Sequence, residues 1–214
     1  MRYLQLSLLI IIIALLSSCN SGPTYAIIET EFGNMKVELY DSTPIHKENF
    51  IKLAKEGFYD DLLFHRVING FMVQGGDPKS KDAAPSARLG NGGPGYTLEA
   101  EIGSPHFKGT LAAARTGGAS NPEKRSSGSQ FYVVQGSPQS DGQIASNEKR
   151  KGITYTEGQK KKYKELGGRP DLDMEYTVFG EVVEGLDVID KIASVETASG
   201  DRPVKDVKMK IRIQ

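Results

Sequence analysis

The chain has 214 residues, 38% of them hydrophobic, which is enough for one well-buried core, and no break in composition divides it into two domains. Its 27 basic side chains are matched by 27 acidic ones, so no global charge points to nucleic acid or an acidic polymer as a partner. The single cysteine, Cys19, excludes any disulfide within the chain.

The N-terminus does not read as part of a fold. Met1-Arg2 and the apolar run 4–16 have the charged and hydrophobic regions of an export signal. That run is shorter than the roughly 20 residues a spanning helix needs. It ends Leu16-Ser17-Ser18-Cys19, which resembles the bacterial lipoprotein signal, where the cysteine receives lipid and becomes the mature N-terminus. The expectation is a signal peptide over residues 1–18, a lipidated tether over 19–24 and one domain over 25–214. The protein would then be held outside the cytoplasm on the bacterial cell envelope, at the periplasmic face or the outer membrane.

Two alternating segments, 25–31 and 35–40, predict a hairpin turning at Phe32-Gly33-Asn34. Thr43-Pro44 reads as an N-cap with proline at the first helical position, and Phe50, Leu53 and Ala54 form a one-sided apolar stripe ending at Gly57. Next comes the most informative run, Phe64-His65-Arg66-Val67-Ile68-Asn69-Gly70-Phe71-Met72-Val73-Gln74-Gly75-Gly76-Asp77. Strand alternation puts Phe64, Arg66 and Ile68 on one face, with His65 and Val67 on the other. Asn69-Gly70 is a strong hairpin signal that folds Phe71, Met72 and Gln74 back beside the arginine. The product is an apolar floor beneath a fixed cation.

A glycine-, proline- and lysine-rich loop over 77–95 follows, long enough to be functional or mobile. Further strands are expected at 96–102, 110–115, 130–134 and 177–183, a helix at 186–193, and a strictly alternating last strand at 207–213. Short strands at this spacing predict a mainly β fold, a closed eight-stranded antiparallel barrel capped by two helices. An insertion over 140–170 carries one more expected helix, 156–166, stopped by Gly167. Its lysines read as a solvated surface, with docking of client proteins or anionic lipid headgroups as the alternative.

FHRVINGFMVQGGDP, GTLAAAR, GSQFYVV and TVFGEVVEGLDVIDKIA together resemble the cyclophilins, which are peptidyl-prolyl cis-trans isomerases. The likeness runs from about residue 25 to 214. It implies an eight-stranded barrel, proline-containing polypeptides as substrates, and assistance to the folding of exported proteins. Position by position, the resemblance puts the catalytic arginine at Arg66 and the proline pocket at Phe71, Met72, Tyr132 and Leu172. Gln74 and Gln130 match polar substrate contacts, and Ala114 and Arg115 match the strand end that pairs with the substrate backbone. Three departures stand out. Asp171 sits where tight cyclosporin binders carry tryptophan, Tyr132 where phenylalanine is usual, and Tyr176 where eukaryotic members have histidine. The added hydroxyl of Tyr132 needs a partner.

His46, His65 and His106 are too scattered for a metal site, and His65 is expected to pack and hydrogen-bond within the sheet. No nucleophile elbow or phosphate-binding loop occurs. The reading is a monomeric isomerase without metal or cofactor, bound to the membrane only through its lipid. The alternative from another class is a chaperone or binding module that grips proline segments without turnover.

Overall fold

The computed structural model describes residues 22–214; the expected signal peptide and Cys19 lie outside the described residues. In chain order the elements are β1 (Thr24–Thr30), β2 (Gly33–Leu39), α1 (Pro44–Lys55), β3 (Leu62–Ile68), β4 (Met72–Gly75), β5 (Thr97–Leu98), β6 (Thr110–Ala113), β7 (Ser126–Ser127), β8 (Phe131–Val134), α2 (Asp141–Lys151), α3 (Glu157–Glu165), β9 (Val178–Glu184), α4 (Leu186–Ala193) and β10 (Lys208–Ile213). Eight strands close into an antiparallel barrel in the order β1-β10-β3-β4-β8-β6-β9-β2. Closure leaves the barrel itself, among the described residues, without an unpaired edge strand.

Strand alternation sorts the side chains. Val73, Leu111, Ala113, Phe131 and Val133 fill the barrel with residues from α1 and α4, including Phe50, Leu53, Ile189 and Ile192. Their neighbours Met72, Ala112, Ala114, Tyr132 and Val134 form a separate apolar cluster on the outer face of β4, β6 and β8. Burial on both faces explains why these strands read as apolar runs.

The alternation fails at one place expected to obey it. Phe64 does not share a face with Arg66, because the register of β3 against β4 shifts between these two residues. Phe64 is buried in the barrel interior with Val67, while Ile68 joins the outer cluster. His65 is the extra residue of this bulge. It is buried, and neither ring nitrogen has a partner at normal hydrogen-bond geometry.

Of the expected strand at 96–102, only Thr97–Leu98 pairs, with Ser126–Ser127 in a small sheet outside the barrel. Glu101 is committed elsewhere. Its carboxylate accepts from the Ile45 and His46 N–H groups at 3.0 Å each and from His46 Nδ1 at 2.6 Å. It therefore caps α1, where Thr43 was the expected cap; Thr43 sits at that position without a side-chain capping bond.

The insertion holds two helices rather than one. Both begin with reciprocal capping boxes, Ser140 with Gln143 and Thr156 with Gln159. Ile144, Tyr155, Tyr163 and Phe107 make their own small core. Several of its lysines meet carboxylates: Lys151 meets Glu175, Lys160 meets Glu148 and Glu157, Lys161 meets Glu165, Lys162 meets Glu181 and Lys164 meets Asp141. The 140–170 segment still carries more basic than acidic side chains, and Lys149 and Arg150 have no carboxylate partner among the described residues.

Candidate active site

Strand register assembles the candidate residues. Arg66 pairs across to Gln74, Gln74 to Tyr132, and Tyr132 to Ala112, so a row of side chains runs over β3, β4, β8 and β6 on the barrel's outer face. The next outward-facing row is Ile68, Met72 and Val134. Opposed residues in neighbouring strands lie about 5 Å apart, so the guanidinium, the glutamine amide and the tyrosine ring lie side by side. The Asn69-Gly70 turn, with Gly70 at φ 74°, adds Phe71 to this face.

Arg66 is loosely tethered. Its Nε lies 3.3 Å from Asp201 Oδ2, and both side chains are nearly half exposed. An exposed pair of this kind contributes about 0 to 1 kcal/mol. Its two terminal nitrogens, as donors, have no partner among the described residues. This single tether leaves the two amino groups free for a ligand.

The polar contacts are more constrained. Gln74 Nε2 donates to Gln130 Oε1 at 3.1 Å, and Gln130 Nε2 donates to the Gly92 carbonyl at 2.7 Å. Gly92 belongs to the long loop, which is organised by the buried Asp77; its carboxylate accepts from the Lys79, Gly90 and Gly92 N–H groups. A Cβ on Gly92 would lie 2.0 Å from Asp77 Oδ1, so glycine is required there. The loop thus sets the orientation of both glutamines.

The backbone of Ala114 is already bonded within the protein, which leaves only the second lone pair of its carbonyl for a substrate strand. The Ala114 N–H donates to the Gln130 carbonyl at 2.9 Å and its carbonyl accepts from Ser127 N at 2.8 Å. The backbone groups of Arg115 carry no backbone bond among the described residues. The Arg115 side chain is turned aside: Nε donates to the Glu175 carbonyl at 2.8 Å, and the guanidinium covers the Tyr176 ring at 4.7 Å.

Tyr132 and Tyr176 meet edge to face at 5.7 Å. The Tyr132 hydroxyl finds its partner in His106 Nε2 at 3.0 Å. Burial pushes the Tyr132 pKa well above its ordinary value, so the hydroxyl remains protonated. Leu172, in a short helical turn (Pro170–Leu172), packs against the same cluster. Asp171, in the tryptophan position, binds the Arg169 guanidinium through both oxygens at 2.8 and 2.7 Å. That guanidinium lies 4.1 Å over the Phe71 ring and covers its outer side.

Arg66, Phe71, Met72, Gln74, Ala114, Arg115, Tyr132, Leu172 and Tyr176 all line one cavity of about 1070 Å³. Its opposite wall comes from residues 85–91 and 198–206. Gln130 lines an adjoining hollow that shares Gln74, Ala114 and Arg115 with the first. Asp201, Arg169, His106 and Asp173 were not legible in the sequence. The hydroxyl on Tyr132 was the one available signal, because it demanded a buried partner.

The chain matches the sequence model described as cyclophilin type peptidyl-prolyl cis-trans isomerase/CLD over residues 25–212. A protein named as a peptidyl-prolyl cis-trans isomerase from Staphylococcus saprophyticus is 36% identical over 194 residues, 88% of this chain and 90% of that relative. Its namesake in Staphylococcus haemolyticus is 37% identical over 181 residues, 84% of this chain and 85% of the relative. Among solved structures, a cyclophilin type peptidyl-prolyl cis-trans isomerase of Cryptosporidium parvum superposes with a TM-score of 0.65 at 25% identity, covering 90% of this chain and 98% of its own. With its motifs carried on a closed eight-stranded barrel, the chain belongs to the cyclophilin family of peptidyl-prolyl cis-trans isomerases.

Proposed function

We propose that Arg66 accelerates X-Pro rotation by donating to the prolyl nitrogen as the imide twists, on exported polypeptides that reach the enzyme outside the cytoplasm. The observation that carries this reading is the pair of unpartnered guanidinium nitrogens on the rim of the apolar slot formed by Phe71, Met72, Tyr132 and Leu172.

The barrier to X-Pro rotation is about 18 to 20 kcal/mol because amide resonance must be lost. At its top the prolyl nitrogen pyramidalises and regains a lone pair, which a planar imide does not offer. A donor aimed at that atom therefore binds the twisted state more tightly than either planar one. Arginine suits the task because it keeps its charge and holds its donors in a rigid plane.

Turnover of about 10² to 10³ per second from about 10⁻² requires lowering the barrier by roughly 5 to 7 kcal/mol. A charged hydrogen bond contributes about 1.5 to 3 kcal/mol. The remainder is assigned to the slot, which holds the ring while the preceding carbonyl swings past Gln74 and Gln130. On this apportioning Arg66→Ala lowers kcat/KM about 10- to 150-fold in an NMR exchange assay on an X-Pro peptide, with the fold intact. Turnover near that of the parent protein refutes the assignment.

The placement on the cell envelope is supported by the N-terminal pattern ending at Cys19. It predicts incorporation of labelled fatty acid in a bacterial host, abolished by Cys19→Ala. Labelling that survives this substitution argues against lipidation at Cys19.

A further inference from the structure

We propose that His106 and Asp173 are positioning residues that pin Tyr132 in the proline slot and make the inserted helices α2 and α3 part of the slot's support. The inference rests on the reading of the Tyr132 wall as the proline site.

Five polar side chains meet away from the cavity. Asp173 is buried, and its Oδ1 accepts from the His106 backbone N–H at 2.7 Å and from His106 Nδ1 at 2.9 Å. Its Oδ2 accepts from the Tyr155 hydroxyl at 2.5 Å and the Tyr163 hydroxyl at 2.6 Å. Every carboxylate acceptor site is thereby filled by a donor.

That arrangement fixes direction. Asp173 only accepts, so His106 carries its proton on Nδ1 and offers the Nε2 lone pair, and the Tyr132 hydroxyl donates to it. The His106 and Tyr132 rings lie nearly parallel, with 13° between their planes and 6.1 Å between centroids. The tyrosine is thus anchored by its oxygen, and that oxygen points away from the ligand. Where phenylalanine would present the same hydrocarbon face, this chain presents a tyrosine that cannot rotate without stranding a buried hydroxyl. Tyr163 lies on α3 and Tyr155 just before it, so the insertion ends on the carboxylate that orients the slot. Asp173 directly follows the slot residue Leu172 in the chain, which ties the same turn to both.

A double-mutant cycle tests this in the exchange assay, with His106→Leu made in the parent protein and in a Tyr132→Phe background. In the parent, His106→Leu strands the Tyr132 hydroxyl and lowers kcat/KM about tenfold, mainly through KM. In the Tyr132→Phe background no hydroxyl remains to strand, and the same substitution costs less than about twofold. Equal costs in the two backgrounds overturn the proposal, as does parent-like KM in His106→Leu.

Should His106→Leu fail to fold, long-range ¹⁵N spectra of the unsubstituted protein decide. The expected signature is a protonated Nδ1 with a bare Nε2, and the opposite tautomer or an imidazolium overturns the assignment. Failure of the isomerase reading itself shows separately, as parent-like turnover in Arg66→Ala.

Discussion

Asp201 does two separable jobs beside Arg66. Its carboxylate makes the exposed pair with the guanidinium, while its carbonyl accepts from Val67 N at 2.8 Å and fixes the 198–206 wall to β3. Its backbone also lies at φ 63°, a region that asparagine and aspartate tolerate and alanine does not. Asp201→Asn keeps the backbone bond and the permitted conformation, losing only a screened ion pair. Its stability in urea should fall by less than about 1 kcal/mol. Asp201→Ala adds backbone strain of about 1 to 2 kcal/mol and should be the less stable of the two. Arg66 then needs the loop for shape more than for charge, consistent with its terminal nitrogens remaining free. Equal stabilities in the two variants would mean that the left-handed backbone at position 201 adds no strain with alanine and that this conformation does not matter to the wall.

At the scale of elements, α1 depends on a residue from a distant segment. The first N–H groups of any helix lack intrahelical partners, and here Glu101 satisfies those of Ile45 and His46. Glu101→Ala leaves both, and His46 Nδ1, without that acceptor, and should cost about 1 to 3 kcal/mol by urea denaturation. Glu99→Ala, two residues away at an exposed site, should cost under about 0.5 kcal/mol. Similar losses in the two variants would show that Glu101 is not the cap.

The same residue shows where sequence reading stops. Alternation made 96–102 look like a strand, but Glu101 donates its N–H to Thr177 Oγ1 at 2.9 Å and spends its carboxylate on a helix, and neither partner is near in the chain. Strands whose two faces are both dictated by packing, such as β3, β4 and β8, were legible, as was the turn that folds Gln74 back beside Arg66, whereas Tyr132 entered only through the family resemblance. The bulge at His65 was not, because one added residue leaves the apolar pattern intact while reversing the face of Phe64. Helix α2 was missed because Ile144 is its only buried apolar side chain, too little for a stripe, although Ser140 and Gln143 had spelled out its capping box.

For the whole molecule, the formal net charge is zero, so self-repulsion varies little near neutral pH and individual buried groups govern stability there. Two histidines are such groups. His65 has its pKa lowered by burial first, with Asp77 and the Leu63 backbone opposing and Arg66 and Arg202 reinforcing the shift. His46 is lowered by burial too, although its Nδ1 touches Glu101. Burial prevails because Nε2 of His46 has no partner, and a proton placed there would be a stranded donor. Both rings are therefore neutral in the fold and protonate more readily once unfolded. Between the lowered folded value and the unfolded value of about 6.5, the unfolded chain binds more protons, so stability rises with pH through that window. This contribution is fully present above about pH 6.5 and is lost as pH falls through the folded values. Urea midpoints should be level between about pH 7 and 8 and decline towards pH 5, before most carboxylates titrate. His65→Leu, which removes one of the two rings, should flatten the decline. A slope unchanged by this substitution would place the acid sensitivity elsewhere than in the bulge beside Arg66.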